Sequence, residues 1–269
     1  MILADNNSIP IVWTINSHVD NYLKWGNVLR SEIYPEAVHE FRKASRKLMV
    51  ILELFRAEGQ VPQVLDQIKY WQKKFGPLRD VHVISSMISE NKILKEICDT
   101  STNEETEIII SKRENLLDIG FKVDFNSAIE NILMMVESDP SVFFLRMRYY
   151  WSEKYKRLVT HLESPESSNF KSLHKLRVKY KKVRYPIELF QSARLLDGDK
   201  DPGLKYWQEL LGQIHDCKII LDWCSKHNGV DCPDHIVEKS EKLIMQFNSE
   251  ISVFKKFLQD NNLRMFTLF

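Results

Sequence analysis

The stretch of sequence that decides the fold is VHEFRKASRKLMVILELFR, residues 38–56, because it occurs a second time at residues 173–191 as LHKLRVKYKKVRYPIELFQ. The two copies align without a gap and share a histidine, an arginine, a lysine and the tripeptide Glu-Leu-Phe at equivalent positions. A second pair of segments, YWQKKFGPLRDVHVI from Tyr70 and YWQELLGQIHDCKII from Tyr206, follows in the same order. Two consecutive elements repeat together, so we predict an internal duplication.

Both copies of the first repeated element have the periodicity of an amphipathic helix. Each residue of a helix advances by about 100°, which places Phe41 and Leu52 opposite the cations that follow His39. In the second copy Leu176 and Phe190 occupy the corresponding apolar side. One side of each helix is therefore expected to face a core, and the other side carries a stripe of positive charge.

The rest of the chain also favours helices. Only 8 glycines and 9 prolines occur in 269 residues, so turns are few and elements are long. The 3.6-residue periodicity predicts helices near residues 18–32, 36–57, 62–90, 103–118, 125–137, 141–163, 168–194, 203–227 and 235–260. We expect an all-α fold of two pseudo-symmetric helical bundles, a duplicated four-helix type, packed into one unit. Residues 1–269 would form one domain, with repeat halves at about 16–165 and 166–269 and a boundary near Ser164–Asn169.

Charge is concentrated in one part of the sequence. The formal net charge is only +1, yet the segment Lys171–Arg184 contains seven Lys and Arg residues and no acid. A hydrophobic fraction of 43% argues against disorder. The distribution of charge, and not its total, therefore indicates a surface for an anionic partner.

The cysteines and the first residues of the sequence indicate the cellular compartment in which the protein is expected. The four cysteines form no C-x-x-C pair, and the opening segment MILADNNSIPIVWTI lacks a basic stretch followed by a long apolar one. No segment approaches 18 consecutive apolar residues, so no membrane partner is expected. We expect a protein of the cytoplasm, a reducing compartment.

The repeated segments contain motifs that resemble those of a known family. The patterns H-x-x-R-x-x-x-R-K-L from His39 and H-x-x-R-x-x-x-K-K-V-R-Y from His174 resemble the paired signatures of the CHAD family, the conserved histidine α-helical domains. The family's second-helix pattern is similar to G-P-L-R-D ending at Asp80 and to L-G-Q-I-H-D ending at Asp216. The resemblance covers roughly residues 16–260.

The resemblance implies two helical bundles related by a pseudo-twofold axis, with the basic stripes of both halves lining a groove or channel for linear inorganic polyphosphate. It implies no catalytic step, cofactor or metal. Many Arg and Lys contacts at intervals suit a flexible chain of phosphates, since Arg can bind phosphate oxygens in a bidentate manner. The residues expected to bind polyphosphate are His39, Arg42, Lys43, Arg46, Lys47, His174, Arg177, Lys181, Lys182 and Arg184. The second half is expected to bind more strongly.

Two other functions use similar residues. Nucleic acid could bind to the same cations, and the aromatic pairs that begin at Tyr70 and Tyr206 could stack bases, although core packing is the favoured use. A metal-dependent phosphohydrolase would need several His and Asp residues around a metal. Arg79 occupies the position of His215 in the other copy, which argues against such a site. Asp80 and Asp216 are expected to orient a motif Arg or His.

Overall fold

The computed structural model describes residues 8–88, 92–163, 170–196, 202–227 and 231–267. Within these ranges every regular element is a helix, which confirms the predicted all-α class. The α-helices are α1 (Ser8–Ser31), α2 (Pro35–Leu54), α3 (Val61–Met87), α4 (Lys92–Ile110), α5 (Ile119–Ser138), α6 (Pro140–Leu162), α7 (Phe170–Ser192), α8 (Pro202–Lys226) and α9 (Asp234–Phe266), with a 3₁₀ turn at Arg113–Asn115.

The chain divides into two compact units. Unit 1 is Met1–Arg146 and unit 2 is Met147–Phe269, so α6 contributes its first turns to unit 1 and the remainder to unit 2. The first repeated hairpin, α2 with α3, lies in unit 1, and the second, α7 with α8, lies in unit 2. The internal repeat is thereby confirmed. The predicted boundary at Ser164–Asn169 lies outside the described residues.

In unit 1, α2 packs against both α1 and α3, and α5 packs against the same two helices. An aromatic cluster joins them: the ring of Tyr22 lies 5.2 Å from Phe41 and 5.7 Å from Phe125, and Phe41 lies 5.4 Å from Phe75. All four side chains are fully buried. Burial of each such ring contributes roughly 1.5–3 kcal/mol, so the predicted apolar side of α2 does face the core.

In unit 2, α8 packs against both α7 and α9. Phe254 of α9 contacts Trp207 and Tyr180, with ring centroids 4.7 and 5.4 Å apart. The buried Tyr180 hydroxyl donates a hydrogen bond to the carbonyl of Leu204, at 3.0 Å. Trp207 and its repeat equivalent Trp71 are both buried, as expected for core packing, whereas Tyr206 and Tyr70, which precede them, are exposed.

Four helices differ from the sequence-based expectation. α4 begins at Lys92 instead of near residue 103, α5 begins at Ile119 instead of near residue 125, and α9 ends at Phe266 instead of near residue 260. α1 begins at Ser8 instead of near residue 18, because Ile11 and Ile15 continue its buried stripe toward the amino terminus. α4 ends at Ile110 instead of near residue 118. There the chain turns so that Leu117 is buried with a positive φ of 55°, close against Gly26 of α1.

Candidate anion-binding faces

His39 is at the centre of the charged surface of unit 1. It lies on α2 with half of its side chain exposed. Partial burial lowers its pKa most, followed by the nearby charge of Arg79 on α3, and Lys43 and Arg46 lower it further against the opposing effect of Glu40. A histidine whose pKa lies below its ordinary value of 6.5 is mostly neutral at pH 7.

We define the unit 1 basic face as His39, Lys43, Arg46 and Arg79. Lys43 forms an ion pair with Glu40 at 3.1 Å, one turn earlier on the same helix. Arg46 is half-buried. Three of the four residues come from α2 and Arg79 comes from α3, so the packing of the repeated hairpin is what assembles this surface.

Arg42, which was expected to bind polyphosphate, holds the two helices of the hairpin together. Its guanidinium donates a hydrogen bond to the carbonyl of Gln72 on α3, and the Gln72 side-chain amide donates to the carbonyl of Arg42 at 2.7 Å. Gly76 lies one turn farther along α3, and a Cβ there would make an ordinary van der Waals contact with Nη1 at 3.8 Å. The Arg42–Gln72 pair therefore contributes to the register of α2 against α3.

Lys47 acts on a different neighbour. Burial lowers the pKa of His18 on α1 to about 4, and the charge of Lys47 contributes to that shift. The angle of Lys47 on α2, about 80° from His39, is consistent with a side chain turned toward α1. We therefore do not include Lys47 in the unit 1 basic face.

His174 is at the centre of the charged surface of unit 2. Its Nδ1 lies 3.1 Å from Nδ1 of His215 on α8, and the two ring centroids are 4.8 Å apart. Partial burial lowers the pKa of His174, and the charges of Arg177, Lys181 and Lys218 lower it further. We define the unit 2 basic face as His174, Arg177, Lys181 and Lys218, with His215 as the partner of His174.

The structure places Arg184 away from this face. Its side chain is only 8% exposed and forms an ion pair with Glu188 at 3.0 Å. The guanidinium also lies over the ring of Tyr185, 4.8 Å from its centroid. A long side chain can turn inward to an acid one turn along its helix, so the position of its Cα on the helix is a poor guide to where the charge lies. Lys182 is exposed.

Two features bear on the alternative functions. Among the described residues, no three His, Cys, Asp or Glu side chains lie together in a group that could hold a metal ion. No helix in the described part of the chain is long and apolar enough to cross a membrane.

Asp80 is exposed and Asp216 half-buried, and their predicted role as orienting partners stays a prediction.

Comparison with known proteins gives the family. Residues 14–107 and 133–225 both match the family model of the CHAD domain, which together is well over half of the chain. The chain belongs to the CHAD domain family. The two matched segments contain the α2–α3 and α7–α8 hairpins, so both basic faces fall within CHAD sequence.

A solved CHAD domain has the same fold. The crystal structure of the CHAD domain from the plant Ricinus communis matches with a TM-score of 0.63 at 16% identity, and the match covers 94% of this chain and 91% of that one. No curated protein matches the chain. At this identity the likeness establishes the fold, and the chemistry has to be argued from the residues of this chain.

Residues of the second repeated helix were missed when the sites were predicted from the sequence. Arg79 lies within the CHAD-like G-P-L-R-D motif, and that motif was the available signal for it. Lys218 and His215 are three residues apart on α8, so they share a side of the helix. Their position beside His174 depends on how α8 packs on α7, and the angular positions of residues around a single helix do not predict that packing.

Proposed function

We propose that this CHAD domain binds inorganic polyphosphate without changing it chemically, through the basic face of each unit. One observation carries the proposal. In each unit, cations from both helices of the repeated hairpin lie close to one histidine, whose pKa is lowered first by partial burial and then by these charges. Positive charges held close together repel one another, and a bound polyanion relieves that repulsion.

The types of residue on the two faces suit a phosphate chain. Arg46, Arg79 and Arg177 carry planar guanidinium groups that can bind two phosphate oxygens at once, whereas Lys181 and Lys218 offer compact charges that adjust to a flexible ligand. None of these side chains is fully buried, so a ligand can reach them. Contacts of this kind recognise the repeating charge of a linear polyphosphate and need no fixed sequence of chemical groups.

The near-neutral total charge is compatible with such binding. Electrostatic interactions in water at physiological salt are screened over about 8 Å, so acids elsewhere in the chain have little effect at the two faces. Only acids on the same surface as a basic face weaken its attraction for a polyanion. Glu40 contacts Lys43 in unit 1 and Asp222 contacts Lys218 in unit 2.

Calorimetric titration with long-chain polyphosphate at low salt tests the proposal. The double variant Arg46→Gln with Lys181→Gln removes one cation from each face, and we expect its affinity to fall at least tenfold, since a tenfold change corresponds to about 1.4 kcal/mol. The matched control, Arg56→Gln with Lys205→Gln, removes the same charge from exposed positions outside the faces and should bind like the unmodified protein. Equal losses in both variants would show that only the total charge matters.

Two further measurements separate this proposal from its alternatives. Single-stranded RNA, added as a competitor, should displace polyphosphate only weakly if the faces are matched to phosphate chains. Incubation of the protein with polyphosphate and Mg²⁺ or Mn²⁺ should release no phosphate. Preference for RNA, or sustained turnover, would replace the proposal with nucleic-acid binding or with phosphohydrolase activity.

A further inference from the structure

The contact between His174 and His215 constrains the protons that the two rings can hold. Their Nδ1 atoms lie 3.1 Å apart, which is a hydrogen-bond distance. Only one of the two Nδ1 atoms can carry a hydrogen in such a bond, since the other must accept it. The neutral pair therefore combines one ring protonated at Nδ1 with one ring protonated at Nε2.

The same rule limits what happens on acidification. One added proton can be accommodated on the Nε2 of the ring that donates, and the hydrogen bond between the rings is kept. A second added proton would place hydrogens on both Nδ1 atoms and would break that bond. The pair therefore titrates as a unit, and its second proton binds less readily than its first.

The surroundings of the pair decide when that proton binds. His174 faces Arg177 and Lys181 from its own helix and Lys218 from α8, together with the His215 ring. Asp216, which follows His215 in the sequence, is the adjoining acid. The Arg and Lys side chains stay charged between pH 5 and 8, so the histidine pair is the group of this face whose charge changes in that range.

The repeat supplies a natural comparison. Arg79 stands in unit 1 where His215 stands in unit 2, at the corresponding position of the repeated hairpin. Arg79 is positively charged at any physiological pH. The equivalent position in unit 2 acquires its charge only with a proton.

We propose that the His174–His215 pair is a proton-dependent part of the polyphosphate site, and that it takes up one proton from solvent when polyphosphate binds to the unit 2 basic face. His215 is then a positioning residue that acts through His174. This inference rests on the proposed function. No other group gains or loses an atom: the buffer gives the proton, and an imidazole nitrogen receives it.

The pH dependence of polyphosphate affinity follows from the direction in which binding shifts the pKa of the histidine pair. Bound phosphate charge raises the pKa of the pair above its value in the free protein. Binding is therefore strongest below the pKa of the free pair and weakens as pH rises through the pKa of the bound pair. Between these two values the association constant should fall by up to about tenfold per pH unit.

Proton uptake can be measured by titrating the full-length protein with long-chain polyphosphate at pH 7 in two buffers that differ in protonation enthalpy. The unmodified protein should take up about one proton through the pair, in addition to any contribution from His39. His215→Arg, which installs the residue found in unit 1, should lose that proton and bind at pH 8 as the unmodified protein binds at pH 6. His39→Gln is the control and should keep it. Unchanged proton uptake in His215→Arg would overturn the inference.

A measurement without ligand keeps this test separate from the proposed function. In the free protein, nuclear magnetic resonance titration of the histidine rings should show His174 and His215 changing together, and His215→Arg should lower the pKa of His174. Two rings that titrate independently near pH 6.5 would refute the pair even if polyphosphate binds. If the unmodified protein fails to bind polyphosphate at low salt, the proposed function is wrong, and the ligand-linked proton uptake fails with it.

Discussion

The salt dependence of polyphosphate binding reports how many cations of the two basic faces contact phosphate groups. Each cation that neutralises a phosphate releases a counterion, and for single-stranded polyanions the slope of log K against log salt changes by about −0.7 per contact. Lys43 and Lys218 form ion pairs with Glu40 and Asp222 on their own helices, and a count of two contacts in each unit is a lower limit for the two faces.

Two contacts in each unit, from Arg46 and Arg79 and from Arg177 and Lys181, predict a slope of about −3. The affinity for polyphosphate should then fall roughly 50-fold between 50 and 200 mM salt. Replacement of Arg46 and Lys181 by Gln leaves two cations and predicts a slope of about −1.4, which is a loss of about sevenfold over the same range.

The assay is a calorimetric or fluorescence titration with one polyphosphate preparation at four or more salt concentrations, on the unmodified protein, the face variant and the control variant Arg56→Gln with Lys205→Gln. A slope near zero in the unmodified protein would refute the charge-based site. A control variant whose slope fell as much as that of the face variant would refute the assignment of the contacts to these two surfaces.

Two further predictions concern stability. Gly26→Ala should destabilise the fold by roughly 1–3 kcal/mol through overpacking, because a Cβ at that position would lie 2.6 Å from the buried Leu117 side chain. Gly212→Ala should instead stabilise α8 by up to about 1 kcal/mol, because a Cβ there would have no atom within 4 Å. Equal melting temperatures of the two variants in thermal denaturation would contradict this prediction. Burial lowers the pKa of His18 to about 4, so the folded state binds fewer protons than the unfolded state below pH 6.5. The free energy of unfolding should therefore decrease as the pH falls from 6.5 to 4, by at most about 3 kcal/mol. Urea denaturation across this range should show a smaller decrease for His18→Gln, and an equal decrease would exclude His18 as the cause.

The repeated hairpins could be predicted from the sequence because their signal is local. The cations and the apolar residues of α2 and α7 lie on opposite sides of each helix, and Phe41 and Phe190 are buried as their angles require. The start of α1 and the end of α4 were not predicted correctly. The second depends on Leu117, whose burial against Gly26 is a contact between distant parts of the chain that overrides the local helical pattern.

The candidate site could be predicted only in part, for a related reason. Counting angles along one helix assigns a Cα to a side, and on this basis Arg46 and Lys181 stay predicted contacts. It does not say which acid a long side chain meets, and the buried Arg184 pairs with the partly exposed Glu188. It also says nothing of the partner helix, which supplies Arg79 in unit 1 and His215 in unit 2.

The hydrogen bonds between Arg42 and Gln72 affect how a saturation mutagenesis screen of this protein should be interpreted. Such a screen would rank Arg42 among the most sensitive positions for polyphosphate retention, because its loss would disturb the hairpin that carries the neighbouring cations. Gln72→Ala carries no change of charge and breaks the same pair. If Gln72→Ala and Arg42→Ala give similar phenotypes, the sensitivity of Arg42 reflects architecture, and residues chosen for redesign of ligand preference should come from Arg46 and Arg79 instead.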